Sequence, residues 1–129
     1  MQTANSLTGY KKLVVYQKTK NLVLQIYEVT NNFPKSETFG LTSQIRRAAV
    51  SVLANIVEGY AKETSAEFFR FLTISIGSLT ELEVHFDLSA ELNFVGPKEY
   101  ETLNEKLFEV KKLLYATRKT IGERRIKRL

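Results

Sequence analysis

The sequence predicts an all-α protein that folds as one antiparallel, up-down-up-down four-helix bundle. Apolar residues recur at steps of three and four along four segments, a spacing that places them on one face of a helix. No stretch of useful length alternates apolar and polar residues as a half-buried strand does. The polar breaks between the segments are short, and a short connection cannot carry the chain back along a whole helix. Consecutive helices are therefore expected to run antiparallel.

The first and fourth segments are amphipathic. The first spans about residues 10–32, with an apolar stripe on Val15, Leu22, Ile26, Val29 and Phe33. The fourth starts at Gly96-Pro97, which puts proline in the favoured first position of a helix. From Tyr100 to Ile121 its apolar residues alternate steps of three and four without a break. That pattern favours shallow, coiled-coil-like packing between neighbouring helices.

The third segment begins with a helix-capping pattern. Thr64 is followed three residues later by Glu67, the spacing of a capping box in which the threonine accepts from the glutamate backbone. The helix is expected to continue to about Asn93. Within it, Gly77 and Ser78 are small enough for a neighbouring helix to approach.

The second segment, residues 44–59, has apolar surface around most of its circumference. A helix inside one small bundle needs a single apolar face, so part of this surface is expected to meet another subunit. The alternative is that this helix is simply the most central one. Ile45, Ala48, Val52 and Ile56 occupy one side of it, Ala49, Leu53 and Tyr60 come next, and Val50 and Val57 extend the apolar surface further.

A narrow polar line interrupts that apolar surface. At about 100° per residue, it consists of Gln44, Arg47, Ser51, Asn55 and Glu58. One interpretation is structural, a hydrogen-bonded stripe or solvated face in which Arg47 reaches Ser51. The other is that the line faces a groove and holds a ligand or nucleic acid. Arg46, beside the line, is expected to be a paired interface arginine.

These residues also carry a resemblance to a known family. The segment QIRRAAVSVLANIVEG of residues 44–59, the E-x-x-R-F-L run of residues 67–72 and the G-S-L-x-E-L run of residues 77–82 resemble the bacterial four-helix-bundle family of proteins encoded in intervening sequences of 23S rRNA genes. Phe33-Pro34, Glu37, Phe39 and Leu41 fit the same pattern. The resemblance extends from about residue 10 to residue 120. The most recognisable motif of the family maps onto Arg46, Arg47, Ser51, Asn55, Glu58 and Gly59.

The resemblance implies an assembly rather than an enzyme. Members of that family look like homopentamers of antiparallel bundles. A related accessory protein of diversity-generating retroelements binds nucleic acid and a reverse transcriptase. The family has no established catalytic motif to transfer to this chain. We therefore expect self-association, and RNA, DNA or a protein such as a reverse transcriptase as a further partner.

The distribution of charge favours nucleic acid among those partners. The formal net charge is +5, which by itself also merely aids solubility. In an up-down-up-down bundle, the start of the first helix and the end of the fourth lie together, and both are basic. The opposite end gathers Glu91, Glu99 and Glu101. The candidate nucleic-acid-binding residues are Lys11, Lys12, Lys18, Lys20, Arg118, Lys119, Arg124, Arg125, Lys127 and Arg128.

Enzyme and metal chemistry find no support in the sequence. There is no cysteine, and the single histidine, His85, is four residues from Glu81, which favours a helix-surface ion pair over a metal site. No nucleophile motif, phosphate-cradling glycine loop or second histidine accompanies it. We expect no catalytic residue, metal or cofactor.

The chain is expected to be a single cytoplasmic domain. The start, MQTANSLTG, lacks both the basic and the apolar region of a signal peptide, and no apolar stretch is long enough to span a bilayer. Residues 1–9 are expected to be a flexible segment and residues 122–129 a basic tail. The sequence thus predicts a self-associating bundle that binds nucleic acid or a ribonucleoprotein, with a protein-interaction scaffold as the alternative.

Overall fold

The computed structural model describes residues 7–127, with side chains described through Arg124. That part of the chain contains α-helices and short 3-10 turns and no β-strand, which confirms the all-α prediction. The turns cover Gly9–Lys12 and Lys35–Glu37. The helices are α1, Val14–Thr30, α2, Leu41–Tyr60, α3, Ser65–Glu91, and α4, Pro97–Lys127.

The helices form a four-helix bundle. Each helix packs against the next, and α4 packs back against α1. Ser51 in the middle of α2 lies beside Ser78 of α3, whereas Gly59 at the end of α2 packs on Phe68 at the start of α3. Since the contacts move in opposite directions along the two helices, α2 and α3 are antiparallel.

The core consists of the predicted apolar stripes. In the first stripe, Val15, Leu22, Ile26 and Phe33 are buried, and Val29 packs against them half-buried. From α2, Ile45, Ala48, Val52 and Ile56 are buried as well. Each such aliphatic side chain contributes up to about 1.5–3 kcal/mol by its removal from water. From α4 the buried residues are Leu103, Leu107, Val110, Leu114 and Ile121.

The two connections at one end of the bundle meet through an aromatic pair. The ring centroids of Phe33, after α1, and Phe94, after α3, lie 5.6 Å apart. Asn93 has φ of 64°, and Phe94 N donates to Ser89 O over 2.9 Å while Asn93 N donates to Ala90 O over 3.0 Å. These bonds form a Schellman motif, which ends α3 and turns Phe94 back onto the core.

The chain ends differ from the expected boundaries. Gly9, whose φ of 62° suits glycine, begins the 3-10 turn, and α1 itself starts only at Val14 rather than near residue 10. Residues 1–6 of the expected flexible segment lie outside the described residues. At the other end, α4 continues to Lys127, so most of the expected basic tail belongs to the helix.

The beginning of α3 follows the predicted capping pattern. Thr64 is the N-cap, and its Oγ1 accepts from Glu67 N over 3.2 Å. The prediction that a neighbouring helix approaches Gly77 and Ser78 is half right. Ser78 faces α2, but Gly77 is exposed, and a Cβ placed on it meets no atom within 4 Å. The close approach occurs instead at Gly59, where a Cβ would lie 2.7 Å from Phe71 Cβ.

Candidate functional site

The middle of the polar line on α2 is a hydrogen-bonded seam against α3. Ser51 Oγ lies 2.8 Å from Ser78 Oγ, and Asn55 Nδ2 donates to Ser51 O over 2.8 Å. Beside them, Ser75 Oγ donates to Val52 O over 2.7 Å. In this part of the polar line, the contacts therefore agree with the interpretation as a hydrogen-bonded stripe. The expected bond from Arg47 to Ser51 is not formed within the described residues, because Asn55 takes that place.

The ends of the polar line remain open to solvent. Arg47 and Glu58 are exposed, and Gln44 is half-buried. Neither Arg47 nor Glu58 forms an ion pair with another described residue. These are the members of the line that stay available to a ligand or partner.

Arg46 is paired, but within its own chain. Its Nε donates to Thr30 Oγ1 over 2.8 Å, and its Nη2 donates to Asn31 Oδ1 over 3.0 Å and to Tyr27 O over 3.4 Å. The guanidinium carbon also lies 4.6 Å from the centre of the Tyr27 ring. Positive charge at the carboxyl end of α1 is favourable because it complements the helix dipole. Arg46 thus joins the end of α1 to the start of α2.

The start of α1 is strongly electropositive. Lys11 and Lys12 are exposed in the turn just before it, and Lys20 is exposed on the helix itself. The N-cap, Leu13, has no side-chain acceptor, and the first turn contains no acidic residue. The backbone N–H groups at this helix start therefore have no compensating negative charge within α1, although Glu58 of α2 lines the same depression as Tyr10 and Tyr16.

Two of the candidate cations make contacts inside the bundle. Lys18 Nζ of α1 lies 3.3 Å from Glu109 Oε1 of α4, with both side chains about half exposed. Arg118 Nη1 donates to Thr73 Oγ1 over 3.3 Å, and its guanidinium carbon lies 5.0 Å from the centre of the Tyr115 ring. These two cations help to join neighbouring helices, which reduces their availability to a phosphate.

The other candidate cations of α4 are exposed wherever their side chains are described. Two further cations, one just before α3 and one in its first turns, were not found from the sequence. Lys119 and Arg124 are exposed, whereas the side chains of Arg125 and Lys127, and all of Arg128, lie outside the described residues. Lys62 and Arg70 flank the Phe71 ring at 5.1 Å and 5.6 Å. The topology places them at the same end, and the rule used for the first and fourth helices would have found them. We call Lys11, Lys12, Lys62, Arg70, Lys119 and Arg124 the basic end.

The opposite end carries the expected acidic residues. Glu91, Glu99 and Glu101 are exposed there. Tyr100 Oη donates to Asp87 Oδ1 over 2.7 Å, and its ring stacks on Phe86 with centroids 5.1 Å apart. The hydrogen bond to Asp87 raises the pKa of the Tyr100 hydroxyl, with desolvation and the negative charges of Asp87 and Glu91 adding to the effect. The basic end is not purely basic, because the exposed glutamates Glu58, Glu63, Glu67 and Glu123 also lie there, so it has a modest excess of positive charge.

The Glu81 and His85 pair forms as the sequence predicts. His85 Nε2 lies 3.2 Å from Glu81 Oε1 on the surface of α3. Among residues whose side chains are described, no three His, Asp or Glu residues are grouped to hold a metal ion. Over the same residues, no helix is both long and apolar enough to cross a bilayer.

Comparison with known proteins identifies the family. The model of the 23S rRNA-intervening sequence protein family matches residues 11–116. The chain belongs to this family. A crystal structure of a protein of unknown function from the S23 ribosomal protein family of Bacteroides thetaiotaomicron has a similar fold, with a TM-score of 0.75 and 26% identity. The similarity covers 82% of this chain and 96% of that one. No curated protein matches the sequence.

The match to the 23S rRNA-intervening sequence protein family includes only some residues of the basic end. The matched residues include Lys11, Lys12, Lys62 and Arg70 but stop at Ala116. Lys119 and Arg124 lie beyond them. Part of the positive charge therefore falls within the matched residues, and part lies beyond them on α4.

Proposed function

We propose that this protein is a non-catalytic, self-associating bundle of the cytoplasm that binds nucleic acid or a ribonucleoprotein through its basic end. The observation that carries the proposal is the pair Lys11 and Lys12 beside the start of α1, whose first turn has neither an acidic residue nor a side-chain cap. Helix starts of this kind favour anions, since N–H groups and the helix dipole both point toward them. Phosphate groups are the anions that such a surface fits.

Exposed cations at the same end of the bundle support the same proposal. Lys11, Lys12, Lys119 and Arg124 are exposed and form no ion pair with other described residues. Contacts of this type go mainly to phosphates and give little sequence discrimination. Their affinity falls with salt, with a logarithmic slope of about 0.9 per phosphate neutralised on duplex DNA.

Exposed apolar residues on α3 support self-association. Four large apolar side chains on one side of α3 are exposed: Ile74, Val84, Leu88 and, just beyond the helix, Leu92. Their spacings are four residues or sums of three and four. Such an outward stripe favours contact with another helix. The family resemblance implies five copies. In a ring that aligns the basic ends, several copies would bind one strand together and gain affinity from multivalency.

The proposed self-association has a direct test. Light scattering of the purified protein is expected to give the mass of an oligomer. The double variant Val84→Glu/Leu88→Glu should lower that mass, whereas Leu24→Glu, which places one such charge at an exposed apolar position of α1, should leave it unchanged. A monomeric wild-type protein would contradict the proposal.

Nucleic-acid binding is tested by fluorescence anisotropy with labelled RNA and DNA, as duplexes and single strands, at several salt concentrations. Wild-type protein is expected to bind with an affinity that falls steeply with salt. Lys12→Glu/Arg124→Glu should abolish this binding. The matched control Lys35→Glu/Lys98→Glu makes the same change of net charge at the opposite end. Equal effects of the two double variants would show that net charge alone, rather than the basic end, determines affinity.

The alternative function is a protein-interaction scaffold, for a partner such as a reverse transcriptase. The exposed stripe of α3 is the surface that favours it. A scaffold without phosphate contacts would show little affinity for RNA or DNA at physiological salt. The anisotropy titration therefore distinguishes the two functions.

A further inference from the structure

A wide depression of about 640 Å³ lies on the outer side of α2, at the opposite end of the molecule from the basic end. Its walls come from the end of α1, the connection before α2 and the first half of α2. None of the described residues that line it carries a carboxylate. Its size is that of typical small-molecule sites, about 300–1,000 Å³. The residues that matter here are Tyr27, Phe39, Thr42, Ser43, Arg46 and Arg47.

One part of the depression is suited to a phosphate. Arg46 is held by Thr30 and Asn31 through Nε and Nη2, and its Nη1 donates to no described atom. Arg47 is exposed next to it without an ion pair among the described residues. A fixed guanidinium such as that of Arg46 loses little conformational freedom on binding, and Arg47 adds a second positive charge to the lining of the same depression.

A hydroxyl at the wall of the depression supports that assignment. Thr42 lines the depression and is only 7% exposed, yet its hydroxyl bonds to none of the described residues. Thr30, in contrast, satisfies its hydroxyl by donating to the carbonyl of Ile26 four residues earlier. Because the Thr42 hydroxyl oxygen has no partner among the described residues and stays in contact with solvent, it can donate to a ligand oxygen in the depression.

The other part of the depression is suited to a flat ring. The side chain of Phe39 is 95% exposed, and Tyr27 is partly exposed nearby. Aromatic side chains presented in this way are stacking platforms for nucleobases. A purely apolar occupant, such as a neighbouring helix, fits less well, because it would cover Arg47 without giving it a partner.

We propose that this depression binds a nucleotide unit, with the base on Phe39 and the phosphate on Arg46 and Arg47. The unit comes either from a free nucleotide or from a single strand. Its residues are separate from the basic end, so it does not depend on the function proposed above.

The test uses isothermal titration calorimetry with adenosine and uridine monophosphates, the matching nucleosides, inorganic phosphate and a single-stranded RNA of about ten nucleotides, which is within the usual footprint of such sites. Monophosphates are expected to bind more tightly than nucleosides or phosphate alone.

Arg47→Met and Phe39→Ala should each weaken binding about tenfold or more. Lys98→Met removes the same charge at the same end outside the depression and should leave affinity unchanged. Because both test residues are exposed, the variants should keep the wild-type circular dichroism spectrum and melting temperature.

The outcomes distinguish a free nucleotide from a single strand and show whether the proposal fails. Binding of the monophosphates assigns a free nucleotide, whereas binding of the strand alone, still sensitive to Arg47→Met and Phe39→Ala, assigns a single strand. Absence of binding by both would overturn the proposal, and so would affinity unaffected by Phe39→Ala. A lower oligomer mass for Phe39→Ala, with unchanged nucleotide affinity, would assign the ring to self-association instead.

The same variants distinguish this proposal from the function of the basic end. Arg47→Met and Phe39→Ala should leave duplex binding intact. Lys12→Glu/Arg124→Glu should abolish duplex binding and leave the affinity for monophosphates unchanged. Loss of both activities in either set of variants would contradict the existence of two sites.

Discussion

Arg46 Nε donates to Thr30 Oγ1 over 2.8 Å, and the same hydroxyl donates to Ile26 O over 2.7 Å. The threonine hydroxyl therefore acts as acceptor and donor at once, in a residue that is almost completely buried. The arginine extends this short chain of hydrogen bonds from α2 to the last turn of α1. One of the most recognisable family residues thus has a structural role that is complete within a single chain.

This contact predicts a stability loss on Arg46→Met. The change leaves Thr30 Oγ1 and Asn31 Oδ1 without their donor, and we expect the free energy of unfolding to fall by about 1–3 kcal/mol. Arg46→Lys should recover only part of it, because an ammonium group does not reproduce the two-nitrogen geometry of the guanidinium. Urea denaturation measures both values. An unchanged midpoint for Arg46→Met would show that the contact contributes nothing.

Substitution by alanine is expected to change the stability in opposite directions at two helical glycines. A Cβ on Gly59 would lie 2.7 Å from Phe71 Cβ and 2.9 Å from Phe68 Cδ1, so Gly59→Ala should destabilise the protein by about 1–3 kcal/mol. Gly77 has open space around it and sits in a helix interior, so Gly77→Ala should stabilise by up to about 1 kcal/mol. Thermal denaturation compares the two. A stabilised Gly59→Ala would refute the close packing of α2 on α3.

The bond from Thr64 to Glu67 N predicts the effect of changing the cap. Thr64→Ala removes the acceptor at the start of α3 and should cost about 1 kcal/mol of unfolding free energy. Thr64→Asp supplies another acceptor and a favourable negative charge, so its stability should equal or exceed that of the wild type. Chemical denaturation of the two variants side by side is the measurement, and equal losses in both would contradict the capping role.

Tyr100 predicts a dependence of stability on alkaline pH. Its pKa is raised in the folded protein, so the folded state holds the phenolic proton more strongly than the unfolded state does. The corresponding stabilisation is complete below about pH 10 and is lost as the pH rises through the raised value. In Tyr100→Phe this loss should be missing, and the stability difference from wild type should narrow above about pH 10. Urea titrations from about pH 8 to about pH 11 measure it, and a constant difference would contradict it.

The helices could be predicted from sequence because their signals are local. The three- and four-residue periodicity identified the buried faces, and Thr64 and Pro97 marked two helix starts correctly. The first helix was placed too early because Lys11 and Lys12 form a 3-10 turn, and periodicity does not separate that turn from the α-helix that follows.

The contacts of individual polar residues could not be predicted in the same way. The partners of Arg46 lie on the far side of a connection, and the choice of Asn55 rather than Arg47 as partner of Ser51 depends on how α2 is rotated against α3. Gly77 was misplaced for the same reason. The basic end was predictable in outline, since topology alone brings together the start of the first helix and the end of the fourth.

The pairing of Phe33 with Phe94 has a consequence for local opening of the molecule. Each ring belongs to a different connection, and both rings cover the same end of the core. Neither connection can lift away without exposing the other's ring to water. Amide exchange in the two connections at that end should therefore follow one shared opening event.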